Sequence, residues 1–136
     1  MVALNFMKRF ASDVERGIKL RTFRLDGKRR PPRAGETLQL YTGMRTKSCR
    51  LLATAPCTFV QSCILRVGRK QAWGVSLCRD TAGGGRAVTR LDSFYALDEF
   101  AKLDGFADWP ELVAFFAPRA DGAGQVKGQL IHWRLL

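Results

Sequence analysis

Between Met7 and Ile18 the apolar residues are Met7, Phe10, Ala11, Val14 and Ile18, at spacings of one, three and four. This is the stripe of an amphipathic helix, with Lys8, Arg9, Asp13, Glu15 and Arg16 on its wet side. Before it, Val2–Phe6 alternates weakly, as a first strand does. After it, Gly17 follows a basic last turn, where glycine readily takes the left-handed conformation that ends helices. Lys19–Leu25 then reads as a strand, with Leu20, Thr22 and Arg24 on one face and Lys19, Arg21 and Phe23 on the other. Asp26-Gly27 signals a turn, and Lys28–Arg33 is a basic loop stiffened by Pro31-Pro32. Ala34-Gly35-Glu36 leads into a strand at Thr37–Thr42. Gly43–Arg50 is a polar loop carrying Arg45, Lys47 and Arg50.

The rest of the chain favours short strands and then helices. Ala55–Val67 is rich in β-branched and other apolar residues, and Ala72–Cys78 is a second strand-like run. Thr81–Arg86, with consecutive glycines at Gly83–Gly85, reads as an exposed turn, and Val88–Arg90 as a brief strand. Asp92 or Ser93 can cap a helix through Leu103, which Asp104-Gly105 stops. Asp108 can cap a shorter helix, with Pro110 tolerated in its first turn and Leu112, Val113, Phe115 and Phe116 buried. Asp121–Gly124 is a loop, and Gln125–Leu136 is the closing strand. The pattern predicts an α+β domain on a small, strongly bent sheet or barrel, with an N-terminal helix and a helical insert before the last strand. No linker or internal repeat divides it, so residues 1–136 read as a single domain.

Composition adds a bias of charge to this picture. Lysine and arginine number 23 against 12 acids, a net charge of +11. Residues 1–70 hold 16 basic and 4 acidic side chains, and residues 71–136 hold 7 and 8. Such segregation suggests a basic face and a polyanionic partner, with nucleic acid or a phosphate-bearing ligand expected. Nothing approaches the ~18 consecutive apolar residues of a membrane span. Met1–Phe6 is too short for a signal peptide, and Lys8 and Arg9 follow it instead of preceding it. A cytoplasmic monomer without a membrane partner is expected. Cys49, Cys57, Cys63 and Cys78 lack the close pairs of a zinc site, and His132 is the sole histidine, so neither metal nor cofactor is expected.

Gly17-Ile18-Lys19-Leu20-Arg21-Thr22-Phe23-Arg24, placed directly after the helix, has the form G-x-K-x-x-[E/T]-x-R. This resembles the signature of the ASCH superfamily. Further likeness lies in the strand at Pro32–Tyr41, in Asp104-Gly105-Phe106 followed by Asp108–Phe116, and in the closing strand. The basic Tyr41–Arg50 segment is similar to ASCH proteins of phages and prophages. The resemblance implies a PUA-like β-barrel acting on RNA or RNA-derived nucleosides. Many ASCH proteins carry glutamate where this chain has Thr22. A small bacterial subgroup with threonine there hydrolyses the acyl amide of N4-acetylcytidine, using the lysine, the threonine and a distal glutamate. By that likeness Lys19 is a general base and Thr22 a nucleophile or water-positioner. Asp104 is the acid, with Asp98, Glu99 and Asp108 as rivals. Arg24 is a substrate clamp.

The residue chemistry agrees with such roles. Arg24 offers a planar fork of donors for a phosphate or a carbonyl edge, and Lys19 a compact charge. Arg21, Tyr41, Arg45 and Lys47 are candidates for substrate or phosphate binding, with Tyr41 beside the basic loop as a stacking surface. Trp73, Trp109 and Trp133 lie in apolar patterns and are expected in the core. Regular alternation sets Lys19 and Thr22 on opposite faces, so they meet only if Lys19 belongs to the turn after Gly17 or a bulge intervenes. One histidine without a nucleophile elbow excludes a Ser-His-Asp triad, and Gly83–Gly85 lacks the residues of a phosphate loop. The alternative function is a non-catalytic RNA-binding module, or a weak single-strand ribonuclease, using the basic face.

Overall fold

A first strand, β1 (Val2–Phe6), leads through Met7 into helix α1 (Lys8–Glu15), which buries Phe10, Ala11 and Val14 as the stripe predicts. The strands that follow are β2 (Arg21–Leu25), β3 (Thr37–Thr42), β4 (Arg50–Arg66), β5 (Gly74–Asp80) and β6 (Arg86–Leu91). Helices α2 (Phe94–Leu103) and α3 (Trp109–Phe116) and a short 3-10 turn precede β7 (Gln125–Trp133). The computed structural model describes residues 1–69, 72–80 and 83–135. Thr81 and Ala82 of the predicted glycine turn, and Leu136 of the predicted closing strand, lie outside the described residues.

The protein is thus a mixed α+β chain, with one helix after its first strand and two before its last. β1 pairs parallel with β3, from Val2 opposite Leu38 to Phe6 opposite Thr42. β3 runs antiparallel to the first part of β4, with a bulge between Leu40 and Tyr41. The later part of β4 pairs with β5, and β5 with β6. β7 pairs with both β2 and β4. No pairing among the described residues closes this path into a ring. Nor is any described helix long and apolar enough to cross a membrane.

Contacts gather into two units. The first comprises Met1–Thr22, Arg30–Val60 and Ile131–Leu136, and the second Phe23–Arg29 and Gln61–Leu130. The first centres on Leu4, Phe6, Phe10, Val14, Leu38, Leu40 and Trp133, all buried. The second centres on Leu65, Val75, Leu97, Phe100, Trp109, Leu112 and Leu130, also buried. In the second unit β7 runs close against β2, because a Cβ at Gly128 would collide with the Arg24 carbonyl oxygen and the Phe23 ring. Only glycine fits there.

Strand and helix ends depart from the sequence pattern in places. β4 begins at Arg50, five residues before the predicted start, because Leu51–Thr54 continues the ladder with β3. β5 lies two residues further along than the predicted Ala72–Cys78, and β6 is longer than the predicted Val88–Arg90, so that Asp80 pairs with Arg86 at the hairpin end. Met7 and Ile18, the outer members of the helical stripe, are exposed.

Candidate functional site

The geometry after α1 decides where Lys19 lies. Arg16 caps the helix, its N–H donating to the Ser12 carbonyl at 2.9 Å, and Gly17 turns the backbone at φ 75°. The N–H groups of Ile18 and Lys19 then both return to the Asp13 carbonyl, at 2.9 and 3.0 Å. This is a helix-ending turn in which a glycine satisfies the last carbonyls. Lys19 belongs to it, and β2 starts only at Arg21. The predicted strand from Lys19 is therefore two residues too long, and its alternation does not govern Lys19. Lys19 and Thr22 are both buried, at 3% and 6% exposure.

Lys19 reaches into an aromatic setting. Its Nζ lies 5.2 Å from the centroid of the Phe10 ring and 5.9 Å from that of Phe6. The Phe6 ring is in turn edge-on to Trp133, at 5.8 Å. Ring faces attract a cation. Even so, taking an ammonium out of water is among the costliest burials a fold can make. Phe6 and Phe10 are site residues that sequence reasoning missed. Phe10 could be read only as a core position of the helical stripe, and nothing in Val2–Phe6 marks Phe6 as a neighbour of a charge.

In the second unit Asp104 is also 3% exposed. It ends α2, its N–H donating to the Ala101 carbonyl at 3.1 Å, and Gly105 turns the chain at φ 97°. Arg24 is half-buried. Burial pushes its guanidinium pKa down, while the nearby charge of Asp104 pushes it back up. The other carboxylates proposed for the acid are placed differently. Asp98 Oδ1 accepts from the Trp109 N–H at 2.9 Å and so ties α2 to α3. Asp108 caps α3 by accepting from the Glu111 N–H at 2.9 Å. Glu99 is exposed, 3.9 Å from Lys102 Nζ.

The binding candidates separate as well. Arg45 and Lys47 are exposed on the loop after β3, and Arg45 has a positive φ of 66°. The Thr46 hydroxyl bonds the Gly43 carbonyl at 2.6 Å, and the Met44 N–H bonds Asn5 Oδ1 at 3.0 Å, so this loop has a fixed shape. Tyr41 is half-buried beside the bulge in β3. Arg21 is half-buried, and its charge adds to burial in pushing the His132 imidazole down to about 4. His132 stacks on Phe59, with centroids 3.9 Å apart and planes at 12°. In the basic loop, Arg30 grips Glu36 through two hydrogen bonds of 2.7 and 3.0 Å, and the Arg33 N–H adds a third. Those contacts hold the Glu36 carboxyl down at about 2.

Trp109 and Trp133 are core residues, as expected, but Trp73 is 37% exposed. It precedes β5 instead of lying inside it, so the apolar run around it did not report burial. Among the described residues no group of three or more His, Cys, Asp or Glu side chains gathers as a metal site requires. No protein-family profile matches this chain, and no curated protein or solved structure does either.

Proposed function

We propose that the chain is an ASCH-like protein with a PUA-like fold, which hydrolyses the acyl amide of N4-acetylcytidine or a related N4-acylated cytidine. One observation carries the reading. Among the described residues the buried polar or charged side chains are Lys19, Thr22, Ser76 and Asp104. Ser76 is accounted for by Arg66, whose Nη1 donates to its hydroxyl at 2.6 Å. The other three are Lys19 and Thr22, which the motif gives as base and nucleophile by resemblance, and Asp104, the first candidate for the acid. A fold that keeps a lysine and an aspartate this far from water gives up their hydration, and functional sites are where such burial recurs.

In this reading Lys19 removes a proton from Thr22 or from a water that Thr22 orients, and the activated oxygen attacks the acyl carbonyl. Asp104 orients or returns the proton to the departing N4 amine, and Arg24 clamps the substrate. Water and the amide are consumed, and cytidine and acetate are released. The test is acetate release from N4-acetylcytidine by the purified protein. Release that is lost in Lys19→Ala supports the reading; no release by the native chain, or release unchanged in Lys19→Ala, overturns it.

A second reading, an RNA-binding module without chemistry, has its own support in the first unit. Of that unit's eleven basic side chains, all but Lys19 and Arg21 are exposed. A free nucleoside needs no such surface, whereas a polyanion does. RNA binding that weakens steeply with salt, in a protein that releases no acetate, would leave this reading standing alone.

A further inference from the structure

In the second unit the later part of β4 forms a three-stranded antiparallel stretch with β5 and β6. Its register sets Arg66 opposite Gly74, Ile64 opposite Ser76, and Ser76 opposite Arg90. Residues directly opposite share a face, as do alternate residues along a strand. Arg66, Gly74, Ser76 and Arg90 therefore stand on one face, while Leu65 and Val75 are buried on the other. Arg66 is laid across its face. The guanidinium lies over Gly74, where a Cβ would collide with it, and Nη1 donates to the Ser76 hydroxyl at 2.6 Å. That hydroxyl belongs to the side chain facing Arg90, and Cβ atoms so placed are about 5 Å apart. Ser76 is only 7% exposed, and the half-buried Ile64 flanks it on the β4 side. Arg90 is exposed. Among the described residues no carboxylate pairs with Arg66 or Arg90, Asp92 just past β6 included.

We infer that Arg66, Ser76 and Arg90 form a binding site for the phosphate group of a phosphate monoester. Two guanidinium groups gathered on one patch without a carboxylate repel each other, and an anion between them relieves that repulsion. The donors are in place for one. A guanidinium has five N–H groups, and the bond to Ser76 occupies one of those on Arg66. The hydroxyl that accepts this bond still has its own proton to give. Donors therefore converge from three sides: the Arg66 fork lying over β5, the Ser76 hydroxyl at the floor, and Arg90 from β6. A planar carboxylate is satisfied by a single fork, whereas three converging directions suit the oxygens of a tetrahedral anion. Two positive charges match a monoester, which carries nearly two negative ones. The site uses no residue of the acyl-hydrolysis group, so acetate release does not bear on it. Arg66 and Arg90 are far apart in the chain, and only pairing through β5 brings them together.

The test is titration calorimetry in a chloride buffer, with inorganic phosphate and cytidine monophosphate as separate arms and acetate as the control. Saturable binding is expected in at least one phosphate arm. Arg90→Ala should weaken it about tenfold, and because Arg90 is exposed the urea midpoint should not move. Arg66→Lys keeps the charge but loses the fork, and should weaken binding by a similar factor. Gly74→Ala keeps every charge and meets only the flexible end of Arg66, so it displaces the fork and should weaken binding several-fold. Equal affinity in the two phosphate arms makes free phosphate a sufficient ligand; tighter binding of the nucleotide supports a phosphate carried on a larger molecule. Absence of saturable binding in both arms overturns the inference. So does binding that Arg90→Ala and Arg66→Lys both leave unchanged. Acetate bound as tightly as phosphate overturns the assignment to a dianion.

Discussion

The two units carry nearly the same number of cations and treat them differently. The first has eleven basic and three acidic side chains, the second twelve and nine. Among the described residues each buries one lysine, arginine, aspartate or glutamate side chain, to 3% exposure: Lys19 in the first and Asp104 in the second. Around Lys19 the structure places the faces of Phe6 and Phe10, whereas Asp104 acts on Arg24 through opposite charge. Ring faces hold a cation without neutralising it, while an opposite charge holds an ion by cancelling part of its field. The difference shows how similar depths of burial rest on different surroundings: aromatic faces beside the lysine, and an opposite charge beside the aspartate.

Five substitutions press on that contrast. Lys19→Met keeps the length and apolar stem of the side chain and removes the charge. It should lower acetate release by about 10²–10⁴-fold, the usual range for a lost acid or base, with no fall in the urea midpoint. A midpoint that falls as far as a core truncation would make Lys19 a structural residue and erase the distinction. Asp104→Asn should cost about 2 kcal/mol in urea unfolding, because the half-buried Arg24 loses a compensating charge. Arg24→Met in that background should recover part of the loss, and a double-mutant cycle with no coupling would separate the two residues. Phe10→Leu removes a ring face at small change in volume and should cost about 1 kcal/mol, less when Lys19 is already methionine.

The fifth substitution concerns pH. His132 titrates at about 4 in the folded chain against an ordinary value of 6.5, chiefly through burial and then through the charge of Arg21. Between those values the unfolded chain holds the proton and the folded chain does not. Stability from this group is therefore complete above pH 6.5 and is lost as the pH falls to about 4. His132→Phe preserves the stack on Phe59 and should flatten that limb of a thermal-melt pH series. An unchanged limb would assign the acid sensitivity to other groups.

Much of this was legible from local pattern, and the failures have particular causes. The Phe10, Ala11 and Val14 stripe, the Ser93 and Asp108 caps and the Gly105 stop each depend on neighbours a few residues away, and each falls where the pattern puts it. Lys19 was assigned to a strand because the motif looks continuous from Gly17 to Arg24. Two hydrogen bonds to the Asp13 carbonyl, which no periodicity reveals, keep it in the turn. The same limit hid the aromatic setting of Lys19, since Phe6 and Lys19 meet through the packing of β1 and α1. Asp98 and Asp108 could not be told from Asp104 by spacing; their hydrogen bonds to Trp109 and Glu111 are what distinguish them. Trp73 was misread as core because hydropathy does not register where a strand begins.

The pairing of β2 with β7 bears on how the protein is made. The Leu20 carbonyl accepts from the Trp133 N–H at 3.1 Å, and the Asp26 N–H donates to the Lys127 carbonyl at 3.1 Å. About a hundred residues must be synthesised between these partners, which takes on the order of 5–20 s at ordinary translation rates. During that interval the segment with Thr22 and Arg24 has emerged from the ribosome without the strand it pairs with. A nascent chain accordingly lacks the β2–β7 pairing until β7 has emerged, and a transcript broken before β7 yields a protein with its basic loops but without the strand that pairs with β2.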